Sequence, residues 1–216
     1  MDYREIEEDI LNLKAHAAHV TSEGIKLRHE KLVCDLVQDP ANYPAGNKMT
    51  LAASDQFTDK TSDPIGVFET AKEGVRSKIA KLPNIAVLGA SAYNALKQHP
   101  AILDKIKYTQ HAIITPDLLK TLLGFDGLFV ASAVYSDDEG SFHDMFTDNV
   151  VLAYVPQSKK RTYYEPAFAY TLRKKNYPVV DTYEEKGKLL IIRNTDIFTA
   201  KIVGAEAGYL IQDTNG

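Results

Sequence analysis

The 216-residue chain has no tryptophan, a single cysteine, and no apolar run approaching the roughly 20 residues that a bilayer-crossing helix requires. One thiol, Cys34, excludes an intramolecular disulfide and any cysteine-cluster metal site. Its neighbours Leu32, Val33, Leu36 and Val37 mark it as a small packed hydrophobe rather than a reactive thiolate. A large excess of charge of one sign is also missing. Lys+Arg 25 against Asp+Glu 29 leaves a net −4, so no global positive field draws the chain to nucleic acid or anionic lipid. The first residues, Met1-Asp2-Tyr3-Arg4-Glu5-Ile6-Glu7-Glu8, are acidic where a secretory leader is basic and then apolar, and no membrane partner is expected. Nor is there a Gly-rich phosphate loop, a dinucleotide fingerprint or a His-Glu-x-x-His pair, so the residues call for no cofactor and no metal.

What is present is an ordinary globular composition, 44% hydrophobic and 25% charged, sufficient for one large domain or two small lobes. Tyr3, Ile6, Ile10, Leu13, Ala17, Val20, Gly24 and Leu27 recur in steps of three and four, predicting a long amphipathic helix that Gly24 bends or divides. A displaced stripe of Leu32, Val33, Leu36 and Val37 carries it to a stop at Asp39-Pro40. Residues 40–63 read as loop with one edge strand at Lys48–Leu51. Asp63-Pro64 then opens a second long helix to Lys81, its stripe running Ile65, Phe68, Lys72, Val75, Ile79 and Leu82.

A βα alternation follows. Ile85–Gly89 reads as a buried strand, Ser91 as the cap of a helix through Gln98, Pro100 as the start of another through Ile106, and Thr115-Pro116-Asp117 as the start of a third stopping at Gly124. Gly127–Tyr135 reads as one further buried strand. After Asn149 the pattern is all strand: Val150–Val155, Tyr163–Leu172, Val179–Tyr183, Leu189–Ile192, Ile197–Val203 and Tyr209–Ile211. Helices early and strands late predict an α+β fold.

Few residues are arranged for chemistry. Ser91 sits where a nucleophile elbow would, but Gly89-Ala90-Ser91-Ala92-Tyr93 lacks the second glycine, which favours the cap. His16 and His19 share a helical face without a third ligand. Asp137, Asp138, Glu139, Asp144 and Asp148 gather five carboxylates with no Lys or Arg, yet their spacing is not that of an EF-hand, and a solvated loop is the simpler reading. Of opposite sign are Lys159, Lys160, Arg161, Arg173, Lys174 and Lys175. Tyr163, Tyr164, Phe168 and Tyr170 lie between the two triplets rather than within them, as a strand face rather than a base-stacking platform would have it.

Several phrases taken in order resemble the major capsid proteins of tailed bacteriophages, whose shell fold bacterial encapsulins also use. They are Lys31-Leu32-Val33-Cys34-Asp35-Leu36-Val37-Gln38-Asp39-Pro40-Ala41-Asn42-Tyr43-Pro44-Ala45-Gly46-Asn47, then Asn84-Ile85-Ala86-Val87-Leu88-Gly89 with Ala92-Tyr93-Asn94-Ala95-Leu96-Lys97-Gln98-His99-Pro100, then Ile106-Lys107-Tyr108. Ala133-Val134-Tyr135 and Asp148-Asn149-Val150-Val151-Leu152-Ala153-Tyr154-Val155 complete the set. The resemblance implies a peripheral lobe, in which a long helix lies along a sheet, and a βα axial lobe. On that expectation residues 1–83 and 149–216 form the peripheral lobe, with Pro64–Lys81 as its long helix, and 84–148 the axial one. Family members also carry an N-terminal arm and an extended hairpin that lap over neighbours. Here a helix follows Met1 at once, which reads as a trimmed chain or a prophage remnant.

The function so implied is geometric: copies of the chain close into pentamer- and hexamer-like rings of a virion shell. Assembly would take place in the host cytoplasm around DNA held without sequence-specific contacts, with scaffolding, portal or decoration proteins as further partners. Gln110-His111-Ala112 and Ser136–Asp148 are candidate contact loops, and the acidic stretch is expected to complement the basic 159–175 patch across subunits. Two alternatives stand beside it. One is an encapsulin-type compartment shell. The other is a small α/β enzyme or ligand-binding domain using Ser91, His99, His111 or the acidic loop.

Overall fold

A computed structural model describes residues 12–107, 114–157, 165–185 and 189–216. They divide into two compact units, one of Cys34–Tyr170 with Ile202–Gly216, the other of Met1–Val33 with Thr171–Lys201.

The larger unit is built on a five-stranded mixed sheet. Its strands are β1 (Lys48–Thr50), β2 (Ile85–Gly89), β3 (Gly127–Ala131), β6 (Val150–Ala153) and β11 (Gly208–Gln212), in the order β1-β11-β6-β2-β3. β1 runs parallel to β11 and β2 to β3, while β6 is antiparallel to both its neighbours. The sheet therefore joins strands from all three segments of the expected division, and β1 is the edge strand that residues 48–51 predict. Helices α2 (Pro64–Ile79), α3 (Ala90–Gln98), α4 (Pro100–Ile106) and α5 (Pro116–Leu123) complete the unit, the last three forming the crossover between parallel β2 and β3.

Two cores, one on each face, explain the run of apolar residues in β6. Val150 and Leu152 belong to the cluster of Phe68, Val75, Leu88, Leu96 and Leu119, whereas Val151 and Ala153 belong to that of Cys34, Tyr43, Phe146, Phe168 and Leu210. A strand covered on both faces has no polar alternation. Helix α2 packs in the first cluster through Phe68, Ala71 and Val75, so Pro64–Ile79 belongs to this sheet. Asp63 caps it, accepting from the Gly66 amide at 3.1 Å, and Ala80 ends it at φ 55°, two residues short of the expectation. Lys72, read as part of the apolar stripe, is buried for a polar reason: its Nζ reaches the carbonyl of Leu123 at the end of α5 and pairs with Glu69 at 2.7 Å.

The caps of α4 and α5 lie where the proline positions put them, with His99 Nδ1 accepting from Ala101 N and Thr115 Oγ1 from Leu118 N. The cap of α3 does not. Gly89, not Ser91, holds that position without a side-chain bond. A Cβ there would stand 1.6 Å from the Thr147 carbonyl oxygen, so close passage of the 147–148 backbone demands glycine. The expected strand Gly127–Tyr135 is two strands: β3 ends at Ala131, and β4 (Val134–Ser136) leaves to pair with β5 (Phe142–Asp144).

In the smaller unit, β8 (Val179–Glu185) and β9 (Leu189–Thr195) pair antiparallel. β7 (Ala169–Arg173) and β10 (Phe198–Ile202) form a second pair that starts in the larger unit. The long helix α1 (Leu13–Gln38) runs 26 residues without a break at Gly24, which is exposed and costs an isolated helix only about 1 kcal/mol relative to alanine. The expected stripe is displaced: Val20, Leu27 and Leu32 are exposed, and the sheltered line is Leu13, Ala17, Thr21, Ile25, His29 and Val33. Polar groups serve that line, with Asn194 donating to Ser22 Oγ at 2.5 Å and His29 Nε2 3.0 Å from Thr171 Oγ1.

Candidate assembly interface

The acidic stretch is a hairpin rather than a loop. β4 and β5 pair Val134 with Asp144, Tyr135 with His143 and Ser136 with Phe142. Asp137 organises the turn: its carboxylate accepts from the Ser141 amide at 2.7 Å and lies 2.7 Å from His143 Nε2, while Gly140 supplies φ 84°. The His143 contact, helped by the Ser141 amide, holds the Asp137 carboxyl below the usual carboxylate range. Asp138, Glu139 and Asp144 remain exposed, and so does Phe142 at 75%. Asp148 is not part of this group, since its side chain accepts from the Asn215 amide at 3.1 Å. Among the described residues no three His, Cys, Asp or Glu side chains converge on a metal position.

Gln38, the last residue of α1, holds the strand that leaves the hairpin. Its Nε2 donates to the carbonyls of Met145 and Cys34, and its Oε1 accepts from the amide and hydroxyl of Thr147 at 2.9 Å each. Nothing in the sequence pattern singles this glutamine out, because Met145 and Thr147 lie more than a hundred residues away.

Of the basic candidates, Lys159, Lys160 and Arg161 lie outside the described residues, as do Gln110, His111 and Ala112. Arg173 is partly exposed but committed to a buried partner. It pairs with Asp196 at 3.0 Å, whose side chain is 3% exposed, and lies over the Phe198 ring at 6.0 Å. Lys174 and Lys175 are exposed, Lys174 Nζ lying 5.2 Å over Tyr177. The structure thus separates the ten charged candidates into groups committed within the chain, Asp137 and Arg173, and groups free to face outward, among them Asp138, Glu139, Asp144, Lys174 and Lys175. Sequence reasoning missed the apolar residues beside them, Val134 and Phe142, although alternation around Asp-Asp-Glu-Gly is a hairpin signal.

The groups weighed for catalysis are placed differently. His99 is 2% exposed, and its Nδ1 accepts from Ala101 N at 3.1 Å, which puts the ring proton on Nε2. That nitrogen faces the Asp59 carbonyl at 2.9 Å and Ser62 Oγ at 3.1 Å, so it cannot take a proton from Ser62. A cleft of about 480 Å³ beside β1 is lined by Met49, Leu51, Asp55, Asp63 and Val67, and Asp63 is occupied in capping α2.

Residues 7–187 match the model of the family described as phage major capsid protein E. The major capsid protein of Burkholderia phage BcepMu is 49% identical over 219 residues, covering 100% of this chain and 71% of the relative. A phage-related protein of Bordetella bronchiseptica superposes with a TM-score of 0.87 at 31% identity, over 95% of this chain and 69% of that one. A virus-like particle protein of Pyrococcus furiosus shares the fold alone, with a TM-score of 0.51 at 13% identity over 86% and 63% of the two chains. With its α+β architecture, its sheet covered on both faces and most of its length matched, the chain belongs to the phage major capsid protein E family.

Proposed function

We propose that this chain is the self-assembling subunit of a phage or prophage head, resident in the virion and enclosing DNA without reading its sequence. The observation that carries the reading is the 49% identity to a phage major capsid protein along the whole chain. A phage relative at that level favours the virion over an encapsulin-type compartment. The role is structural rather than catalytic. Host cytoplasm is the place of assembly, and scaffolding, portal and decoration proteins are the partner classes that such a shell implies.

The division into units supports a revised assignment of lobes. The smaller unit, with most of long helix α1 and the strand pairs of 171–201, suits the peripheral lobe; the larger, with its β2-to-β3 crossover, suits the axial one. Contact between copies is proposed to use the acidic hairpin and the basic 159–175 stretch, the latter through Lys174 and Lys175 and through Lys159, Lys160 and Arg161.

The test is expression of the complete open reading frame followed by negative-stain electron microscopy. Closed polyhedral particles, tubes or rings are expected, and a uniform monomer would overturn the reading. Reversing Lys174 and Lys175 to Glu is expected to impair assembly, and normal particles from that variant would remove the charge-pairing proposal.

A further inference from the structure

Strand alternation gives two exposed faces with complementary surfaces. The first lies on the β4–β5 hairpin. Cross-strand pairing puts Val134, Ser136, Phe142 and Asp144 on one face and Tyr135 and His143 on the other. Val134 and Phe142 are 45% and 75% exposed, Asp144 lies on the same face, and Asp138 and Glu139 are exposed in the adjoining turn.

The second lies on the β7–β10 pair. The bonds Lys174 N to Ile197 O and Val203 N to Phe168 O fix an antiparallel register in which Arg173 faces Phe198 and Leu172 faces Thr199. Arg173, Phe198 and Thr171 then share the face on which His29 of α1 touches Phe198 at 4.5 Å and Thr171 at 3.0 Å. The opposite face carries Leu172, Lys174, Ile197, Thr199 and Lys201. Leu172 and Ile197 are 59% and 45% exposed, and Lys174 and Lys201 are solvated beside them, with Lys175 in the following turn.

Each strand pair thus offers two large exposed apolar side chains on one face, with three exposed charges on that face or in its turn, negative on the first and positive on the second. Apolar side chains exposed together mark an interaction surface rather than a solvated one. We propose that the Val134–Phe142 face of one copy docks on the Leu172–Ile197 face of a second copy. Phe142 is the anchor, and Asp138, Glu139 and Asp144 are set against Lys174, Lys175 and Lys201. The occupant is a second copy because both halves of the match, in equal number of charges, are carried by the same chain. Such a contact joins different surfaces, so it is heterologous and builds rings or open chains of subunits rather than a two-fold dimer. The burial of Phe142 between the two pairs of apolar residues supplies affinity, and the charges set register. Asp137 and Arg173 take no part, being held by His143 and Asp196. This inference rests on the shell reading above and specifies its contact.

The test uses the complete open reading frame. Phe142→Ser and, separately, Leu172→Ser with Ile197→Ser are expected to raise the protein concentration needed for particle formation at least tenfold, with melting temperatures of the unassembled protein unchanged. Cysteines introduced together as Ser136→Cys and Thr199→Cys, on the two faces beside the anchors, are expected to give a ladder of interchain disulfides on oxidation, which neither single variant gives. Particles forming at the parental concentration in both serine variants, or absence of the ladder in assembled parental-like particles, would overturn the interface while leaving the shell reading intact. A parent that assembles at no concentration would overturn the shell reading, and the crosslinking of soluble protein would then decide the interface alone, a ladder supporting it and monomers refuting it.

Discussion

His143 Nε2 lies 2.7 Å from Asp137 Oδ2 across the turn of the β4–β5 hairpin, and the same carboxylate accepts the Ser141 amide. The most exposed phenylalanine of the larger unit, Phe142, is therefore presented by a turn whose geometry one carboxylate maintains.

The Asp137 carboxyl, held down by His143 and the Ser141 amide, titrates below its ordinary value of 3.8 in the folded chain. A lowered folded value makes the contribution of this turn complete above the ordinary value and lost as pH falls through the lower folded one. In an NMR titration the Ser141 amide shift is expected to move with a midpoint below 3.8; a midpoint at or above it would contradict the contact. Asp137→Ala should speed amide exchange within 134–144 and leave global stability nearly unchanged, as expected for an exposed pair.

Lys72→Met is expected to destabilise the larger unit by about 1–3 kcal/mol, although it keeps an apolar chain in a buried position. The loss comes from the Leu123 carbonyl at the end of α5, which the ammonium group caps. Urea denaturation measures it, and an unchanged midpoint would show that another donor reaches that oxygen.

Asn47 is fully buried, and its Nδ2 donates to the carbonyls of Glu206 and Gly208. Asn47→Leu leaves both oxygens without this donor and should cost about 2–4 kcal/mol, with early exchange of the β11 amides as its local signature.

Arg173→Ala leaves the buried Asp196 carboxylate without its guanidinium and is expected to cost about 1–3 kcal/mol. The double variant Arg173→Ala with Asp196→Ala should recover most of that loss, because the penalty lies in the stranded charge. A double variant less stable than the single one would reverse this account.

Local chemistry was the legible part of this chain. Asp63-Pro64, His99-Pro100 and Thr115-Pro116 announce their helices, because cap and proline act within one turn. The sheltered side of α1 departs from the apolar period because Ser22 and His29 meet polar partners, Asn194 and Thr171, which no helical period reveals. The hairpin is not legible because a carboxylate-rich turn has the same composition as a solvated loop, and the need for glycine at position 89 depends on a backbone neighbour 58 residues on, Thr147. The candidate charges were legible by position; which of them are held internally depended on Asp196 and His143, and that is tertiary information.

The order β1-β11-β6-β2-β3 has a consequence for the chain during its synthesis. Strand β1 has β11 as its neighbour, and β11 also covers the flank of β6. The first strand of the sheet to leave the ribosome therefore waits for the last, a delay on the order of ten seconds at ordinary elongation rates. Until Gly208–Gln212 arrives, the apolar edge of β6 is open. A chain interrupted anywhere before those five residues would be an aggregating fragment rather than a smaller folded domain.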